Sequence, residues 1–110
     1  MFFHGNSKNN EKLHHVYAIY DEEDGDVFKY GISETELGKD DYSRRMREQV
    51  DYLNRAVGWA RYRAEVIVRD IAGKAHARLI EDEKIAMYIE KFGRPPRGNV
   101  KTPGPHRSSP

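Results

Sequence analysis

The chain contains 110 residues, carries a formal net charge of +1 and has no cysteine. This length predicts one small domain, and the lack of cysteine excludes disulfide bonds and thiolate metal sites. No apolar run approaches the length of a membrane span, and residues 1–10 lack the features of a signal peptide. We therefore expect no transmembrane segment and no membrane partner.

The first predicted element is a β-hairpin over residues 15–33, where two segments rich in β-branched and aromatic residues flank an acidic turn. Asp24 and Gly25 lie in that turn, and an Asp-Gly pair in such a place is a strong hairpin signal. If these two residues form the turn, Tyr20 lies directly opposite Lys29. Alternation along the strands then predicts one apolar face: Tyr17, Ile19, Phe28, Tyr30 and Ile32. The other face combines small residues with a phenol, an amine and a hydroxyl: Val16, Ala18, Tyr20, Val27, Lys29, Gly31 and Ser33.

Two helices and a third strand follow the hairpin. Apolar residues spaced three and four apart predict a helix over residues 42–57, with Asp41 as its N-cap and Gly58 at its end. Alternation predicts a strand over residues 62–71, and a second helix is expected over residues 74–92. The order is ββαβα, which predicts an α/β (α+β) fold of three strands and two helices.

The chain divides into three predicted parts. Residues 1–14 are expected to be irregular, residues 15–100 to form the folded domain, and residues 101–110 to form a disordered tail rich in Pro, Gly and Ser. His14 and His15 adjoin the first strand. Neighbours on a strand point to opposite faces and cannot easily share a metal ion, so we expect surface histidines.

Polar residues on the two helices indicate a site beside the hairpin. Arg45 lies next to the apolar stripe of the first helix, with Gln49 one turn later. Glu81 lies in an apolar line of the second helix, where a carboxylate is costly to bury unless a cation or a metal meets it. Asn99 follows in a loop framed by prolines.

These groups suffice for phosphodiester hydrolysis, which needs a deprotonated water, charge compensation at the phosphate and a stabilised leaving oxygen. Tyr20 could accept the proton of the water if Lys29 lowers the tyrosine pKa from about 10. Arg45 could bind the phosphate oxygens with its planar fork. Glu81 could hold one Mg²⁺, which takes few carboxylates and completes its shell with water and substrate oxygens.

The hairpin resembles the signature segments of the GIY-YIG nuclease superfamily, through Ala18-Ile19-Tyr20 and Lys29-Tyr30-Gly31-Ile32-Ser33. The resemblance covers residues 15–100 and implies a three-stranded antiparallel sheet flanked by helices. It also implies endonuclease activity with a single divalent ion, Mg²⁺ or Mn²⁺. The catalytic residues that it implies are Tyr20, Lys29, Arg45 and the metal ligand Glu81. The supporting residues are Tyr30, Gly31, Ser33, Gln49 and Asn99.

The chain departs from the superfamily pattern in the signature itself. Ala18 stands where the first signature has glycine. Lys29 stands where the second has tyrosine, as in some restriction-enzyme members, and the predicted pairing gives its amine a role in taking or stabilising the proton of Tyr20. Gln49 occupies a position where relatives often have histidine.

Neighbouring residues compete for two of these roles. Arg44 is an alternative to Arg45, and the Arg-aliphatic pattern of the superfamily favours Arg45. Glu83 is an alternative to Glu81, and the spacing to Ile85 favours Glu81.

The Lys-Tyr-Gly-Ile-Ser segment and the later run over residues 93–99 are similar to nuclease domains found as C-terminal toxins in bacterial competition systems. This resemblance implies a DNA endonuclease that acts in the cytoplasm of a target cell after delivery, with a cognate immunity protein as partner. The small size, with no appended DNA-reading module, predicts low sequence specificity. A stand-alone restriction or repair nuclease is the alternative among enzymes. The alternative that is not an enzyme is a catalytically degenerate module that binds nucleic acid or protein.

Overall fold

The computed structural model describes residues 12–34 and 36–100. The disordered tail predicted for residues 101–110, and the irregular segment as far as residue 11, lie outside this part of the chain. The strands are β1 (Leu13–Asp21), β2 (Asp26–Ser33) and β3 (Tyr62–Ala72), and the helices are α1 (Arg44–Val57), α2 (Lys74–Phe92) and a 3-10 turn at Arg97–Asn99. The strands form one antiparallel sheet in the order β2-β1-β3, so the predicted α+β fold with ββαβα order is confirmed.

Each face of the sheet is covered by one helix. On one face, Tyr17 and Ile19 pack with Met46 and Val50 of α1. On the other face, Val16 packs with residues of β3 and α2. Because it is covered on both sides, the middle of β1 is fully buried over four consecutive residues, Val16, Tyr17, Ala18 and Ile19. None of the described helices is both long and apolar enough to cross a membrane.

The hairpin register differs from the predicted one. Ile19 pairs with Lys29 and Tyr20 pairs with Val27, because the register shifts between Ile19 and Tyr20. Phe28 is the extra residue of this bulge, and a bulge re-aims the side chains beside it. Phe28 and Lys29 consequently both face α1, where they line a groove with Ile19. The prediction that Tyr20 lies opposite Lys29 is therefore wrong.

The predicted faces of β2 change with the register. Gly31 lies opposite Tyr17, and Lys29 shares a side with Ile19, so both belong to the face that carries α1. Tyr30 lies opposite Ala18, which places its side chain towards α2. From Lys29 to Ser33 the faces are therefore exchanged relative to the prediction. Phe28 stays on the side of Tyr17 and Ile19, and Val27 stays beside Tyr20, as predicted.

Asp21 explains why the turn is longer than the predicted Asp-Gly pair. Its carboxylate is fully buried and accepts hydrogen bonds from the backbone N–H groups of Glu23 and Asp24, at 3.0 and 3.3 Å. The same carboxylate accepts two hydrogen bonds from Arg61, at 2.9 and 2.8 Å, and one from Arg97. These contacts stabilise a four-residue turn over 22–25, and the hydrogen bonds from Arg61 hold the pKa of Asp21 well below its usual range.

The start of α1 is fixed by two buried serines. Ser43 is the N-cap and accepts a hydrogen bond from the backbone of Met46, while the hydroxyl of Ser33 donates to the hydroxyl of Ser43 at 2.7 Å. The prediction of Asp41 as the N-cap is therefore wrong. Asp41 lies two residues before Ser43 and has a positive φ of 65°. This hydroxyl pair joins the end of β2 to the first turn of α1 and so sets the position of the arginines that follow.

Both outer strands are held by asparagine side chains. The amide of Asn99 accepts from the backbone N–H of Tyr30 at 2.8 Å and donates to its carbonyl at 3.0 Å. Asn54 makes the same pair of bonds to Tyr62, at 2.7 and 3.1 Å. Each amide thus forms hydrogen bonds with a backbone N–H and a backbone carbonyl on the outer side of an edge strand, where no further strand of the described chain pairs with them.

Candidate active site along strand β2

A cleft of about 560 Å³ runs along the outer strand β2, between the first turns of α1 and α2. It includes consecutive residues of β2, which is expected at a sheet edge where both strand faces are within reach. Charged and polar groups dominate its lining: His14, Lys29, Tyr30, Gly31, Ile32, Ser33, Glu34, Arg44, Arg45, Glu48, Lys74, Arg78, Glu81 and Asn99.

Most of the predicted site residues meet at this cleft. Lys29 comes from β2, Arg45 from α1 and Glu81 from α2, and their charges act on one another. Asn99 reaches the cleft from the 3-10 turn, where its amide holds the backbone of Tyr30. Three elements separated in sequence thus bring one amine, one guanidinium and one carboxylate together.

Tyr20 does not line this cleft. It lies on the α2 side of the sheet, where the guanidinium of Arg63 is 4.5 Å from its ring centroid. Burial and the neighbouring Glu65 raise the pKa of Tyr20. It lines a different groove together with Tyr30, so Tyr20 and Lys29 lie on opposite sides of the sheet and the predicted Tyr20–Lys29 pair does not form.

The phenol that lies beneath the cleft is Tyr17, which the sequence analysis placed on the apolar face of the hairpin and not among the site residues. A Cβ added to Gly31 would come within 2.4 Å of the Tyr17 hydroxyl, so only glycine at this position lets the ring extend under the cleft floor. The hydroxyl donates a hydrogen bond to Oε1 of Gln49 at 2.7 Å. Burial raises the pKa of Tyr17, against the opposing effect of the Arg45 charge. Tyr17 is therefore a neutral phenol at physiological pH.

Lys29 and Glu81 are both partly desolvated. Burial lowers the pKa of Lys29, and the positive charge of Arg45 lowers it further, against the effect of Glu81. Burial raises the pKa of Glu81, as does Asp82, while Arg78 and the cleft cations oppose the shift. The two groups are thus shifted towards their neutral forms, a pattern that is common in catalytic sites.

The neighbouring alternatives have different surroundings. Arg44 is highly exposed and lies 3.9 Å from Glu48 on its own helix, whereas the charge of Arg45 acts on Tyr17 and Lys29. Glu83 is exposed and does not line the cleft, in contrast to Glu81.

The two histidines are buried, which corrects their assignment to the surface. His14 is 3% exposed and His15 is 7% exposed. His14 lines the cleft, with Nδ1 2.7 Å from the carbonyl of Lys12. His15 points to the other side and accepts from the backbone N–H of Asp70 at 3.3 Å. Their opposite directions follow from strand alternation, as predicted.

The donor set at the cleft is compatible with one lightly held divalent cation. In residues 12–34 and 36–100, no group of three or more histidine, aspartate or glutamate side chains is arranged to hold a metal ion. Mg²⁺ commonly takes one or two carboxylates and keeps several waters. Glu81 supplies one carboxylate in an open cleft, so it fits an ion that is otherwise held by water and substrate oxygens.

No curated protein and no solved structure matched the chain. The model of the Tox-URI2 family, described as URI fold toxin 2, matches residues 7–93, a range that includes β1, β2, β3, α1, α2 and the cleft residues up to Glu81. The chain belongs to the URI fold toxin 2 family.

Proposed function

We propose that this toxin-family domain is a divalent-metal-dependent endonuclease that hydrolyses DNA phosphodiester bonds with low sequence specificity. The observation that carries the proposal is the meeting of Lys29, Arg45 and Glu81 in one cleft, above the buried hydroxyl of Tyr17. Contacts between such groups and phosphates carry no sequence information directly, which accounts for the low specificity. The resemblance of β2 to the second GIY-YIG signature supports the same reaction.

Lys29 is the proposed general base. Because burial and Arg45 lower its pKa, a larger fraction of its amine is neutral near physiological pH than for a free lysine. A neutral amine at this position can accept the proton of the attacking water. Tyr17 does not take the role of proton acceptor that was predicted for Tyr20, because its raised pKa keeps the phenol protonated. Its hydroxyl instead positions neighbouring groups, such as the side chain of Gln49.

Arg45 and Glu81 address the charge of the phosphate. The guanidinium of Arg45 offers paired donors to two phosphate oxygens. Glu81 would hold the divalent ion, Mg²⁺ or Mn²⁺, which when bound offsets charge on the leaving oxygen. Asn99 keeps β2 in place through the backbone of Tyr30, and the Ser33 hydroxyl fixes the helix that carries Arg45.

A nicking assay on supercoiled plasmid with Mg²⁺ or Mn²⁺ tests this proposal. We expect Lys29→Met, Arg45→Ala and Glu81→Gln each to lower the rate by about 10²–10⁴-fold, the range typical of general-base and charge-stabilising groups. The matched controls are Arg55→Ala on α1 and Glu83→Gln on α2, both exposed and outside the cleft. Their rates should remain within about threefold of the native rate, because exposed charges contribute little to the folded state.

The tyrosines give a further comparison in the same assay. Tyr17→Phe should slow nicking more than Tyr20→Phe, because only Tyr17 contacts Gln49 and lies under Gly31. Folded protein that cuts neither DNA nor RNA with any divalent metal would refute the nuclease proposal and favour a module that only binds. As a toxin-family member, the chain is also expected to have a cognate immunity protein that blocks this cleft or its approach.

A further inference from the structure

Two cations at the far end of the cleft have no role in the proposed hydrolysis. Lys74 and Arg78 line the cleft from the first turns of α2 and are both exposed. They lie four residues apart and therefore on one face of the helix, and Glu81 follows three residues after Arg78. With a rise of 1.5 Å per residue, Lys74 lies about 10 Å along the helix from Glu81. Consecutive phosphates of one strand are about 3.4 Å apart along a B-form axis.

Positive charge is in excess along this line. Three carboxylates line the cleft, against five lysine and arginine side chains. Glu34 lies within 4.0 Å of Lys12 and His14, and Glu48 lies within 4.0 Å of Arg44. Glu81 has no basic nitrogen within that distance among the described residues. Among the described residues, no carboxylate lies within 4.0 Å of a nitrogen of four cleft cations: Lys29, Arg45, Lys74 and Arg78. Most of the other arginines in residues 12–34 and 36–100 are paired with a carboxylate, including Arg61, Arg63 and Arg94.

Such an arrangement is unfavourable in the protein alone, because like charges repel one another across a shared cleft. A polyanion that spans the cleft would relieve this repulsion. The separation of about 10 Å along α2 is larger than one phosphate group, so we expect Lys74 to meet a different phosphate from the one bound at Arg45. The cleft is better matched to a ligand with several linked phosphates.

We propose that Lys74 and Arg78 form a second phosphate-binding site, which holds the same nucleic-acid strand about two or three nucleotides from the bond that is cut. The proposal rests on the nuclease function above and narrows its substrate to a polynucleotide chain. A mononucleotide or a short diester would occupy the reacting end and leave Lys74 without a partner. The protein should therefore prefer strands long enough to reach both ends of the cleft.

Salt-dependent binding of a fluorescent single-stranded oligodeoxynucleotide, measured by anisotropy in EDTA, tests this site without requiring cleavage. For single strands, the logarithm of the binding constant decreases linearly with the logarithm of the salt concentration, and each lost phosphate contact reduces the magnitude of this slope by about 0.7. We expect Lys74→Ala/Arg78→Ala to reduce the slope by about 1.4. The matched control is Lys84→Ala/Lys91→Ala, which removes the same charge from the same helix outside the cleft. Its slope should not change.

A reduction of the slope that is equal in both double variants would overturn the proposal, since it would report net charge alone. An unchanged slope in Lys74→Ala/Arg78→Ala would overturn it as well. If that double variant does not fold, Lys74→Ala replaces it, because an exposed side chain at the first helical residue tolerates truncation. This single variant must then reduce the magnitude of the slope by about 0.7, the value of one phosphate contact. Strand binding with the expected slopes but no cutting would reject the nuclease proposal alone. Cutting by the native protein with unchanged slopes would reject the second phosphate site alone.

Discussion

Asp21 is expected to be the carboxylate that contributes most to the stability of this fold. It is fully buried and accepts five hydrogen bonds, three of them from the guanidinium groups of Arg61 and Arg97. Asp21→Asn keeps the shape of the side chain but removes its charge. Arg61, whose side chain is 19% exposed, then loses its buried partner. Breaking a buried ion pair in this way costs about 3–5 kcal/mol.

That cost is large for a domain of this size, whose total stability is expected to be about 5–15 kcal/mol. With a urea dependence of about 2 kcal/mol per molar, the unfolding midpoint of Asp21→Asn should fall by about 2 M. The control is Asp24→Asn in the same turn. Its carboxylate is 49% exposed and lies 3.7 Å from Arg61, so its loss should cost less than about 1 kcal/mol.

The difference between native protein and Asp21→Asn should depend on pH in one direction. The pKa of Asp21 is lowered on folding, so the unfolded chain binds the proton first as the pH falls. The stabilisation is complete above the unfolded pKa of about 3.9 and is lost as the pH drops towards the native pKa. Equal urea midpoints for Asp21→Asn and Asp24→Asn, or a difference that does not shrink in acid, would refute this account of the turn.

Three further changes test the surroundings of the cleft. Gly31→Ala should displace the Tyr17 ring, because the new Cβ would lie 2.4 Å from its hydroxyl; overpacking of this kind costs about 1–3 kcal/mol, and an unchanged thermal midpoint would contradict it. Asn99→Ala should speed hydrogen exchange at the β2 amide that it holds, whereas Asn54→Ala should do so only in β3; exchange that rises equally in both strands would contradict separate clamps. Because the pKa of Lys29 is lowered, nicking should rise with pH below the range of a free lysine at about 10.4, and Lys29→Met should remove that rise from the pH–rate profile.

The helices could be predicted well because their signals are local. Apolar spacing and the glycines after each helix identify both C-termini, and α2 spans the predicted residues from Lys74 to Phe92. Gly58 and Gly93 take the left-handed conformation expected after a helix. The start of α1 was missed by two residues because the choice between Asp41 and Ser43 depends on Ser33, a partner ten residues away on another element.

The hairpin register could not be derived from the local sequence. An Asp-Gly pair favours a two-residue turn, but Asp21 holds the backbone of a four-residue turn with its own carboxylate. That conformation is stabilised by Arg61 and Arg97, which lie 40 and 76 residues away in the chain. Such contacts exist only once β3 and the 3-10 turn have packed, so periodicity within the hairpin carries no sign of them.

The site residues differ in how strongly they depend on that register. Arg45 and Glu81 are positioned by helix periodicity, and the structure places both at the cleft. The choice of tyrosine depends entirely on pairing, since a shift of one residue moves a side chain to the other face of the sheet. The bulge at Phe28 turns Lys29 towards α1 and leaves Tyr20 on the side of α2.

This change of face also changes the chemistry that the cleft can perform. A half-buried Tyr20 beside Lys29 would have been a plausible phenolate, whereas Tyr17 is fully buried and its pKa is raised. Burial lowers the pKa of Lys29, whereas it raises that of Tyr17. In both cases desolvation disfavours the charged form, which is the protonated amine for lysine and the phenolate for tyrosine. Burial therefore keeps the phenol protonated and favours the neutral amine, so in the proposed hydrolysis Lys29 is better suited than any tyrosine of the hairpin to accept the proton of the attacking water.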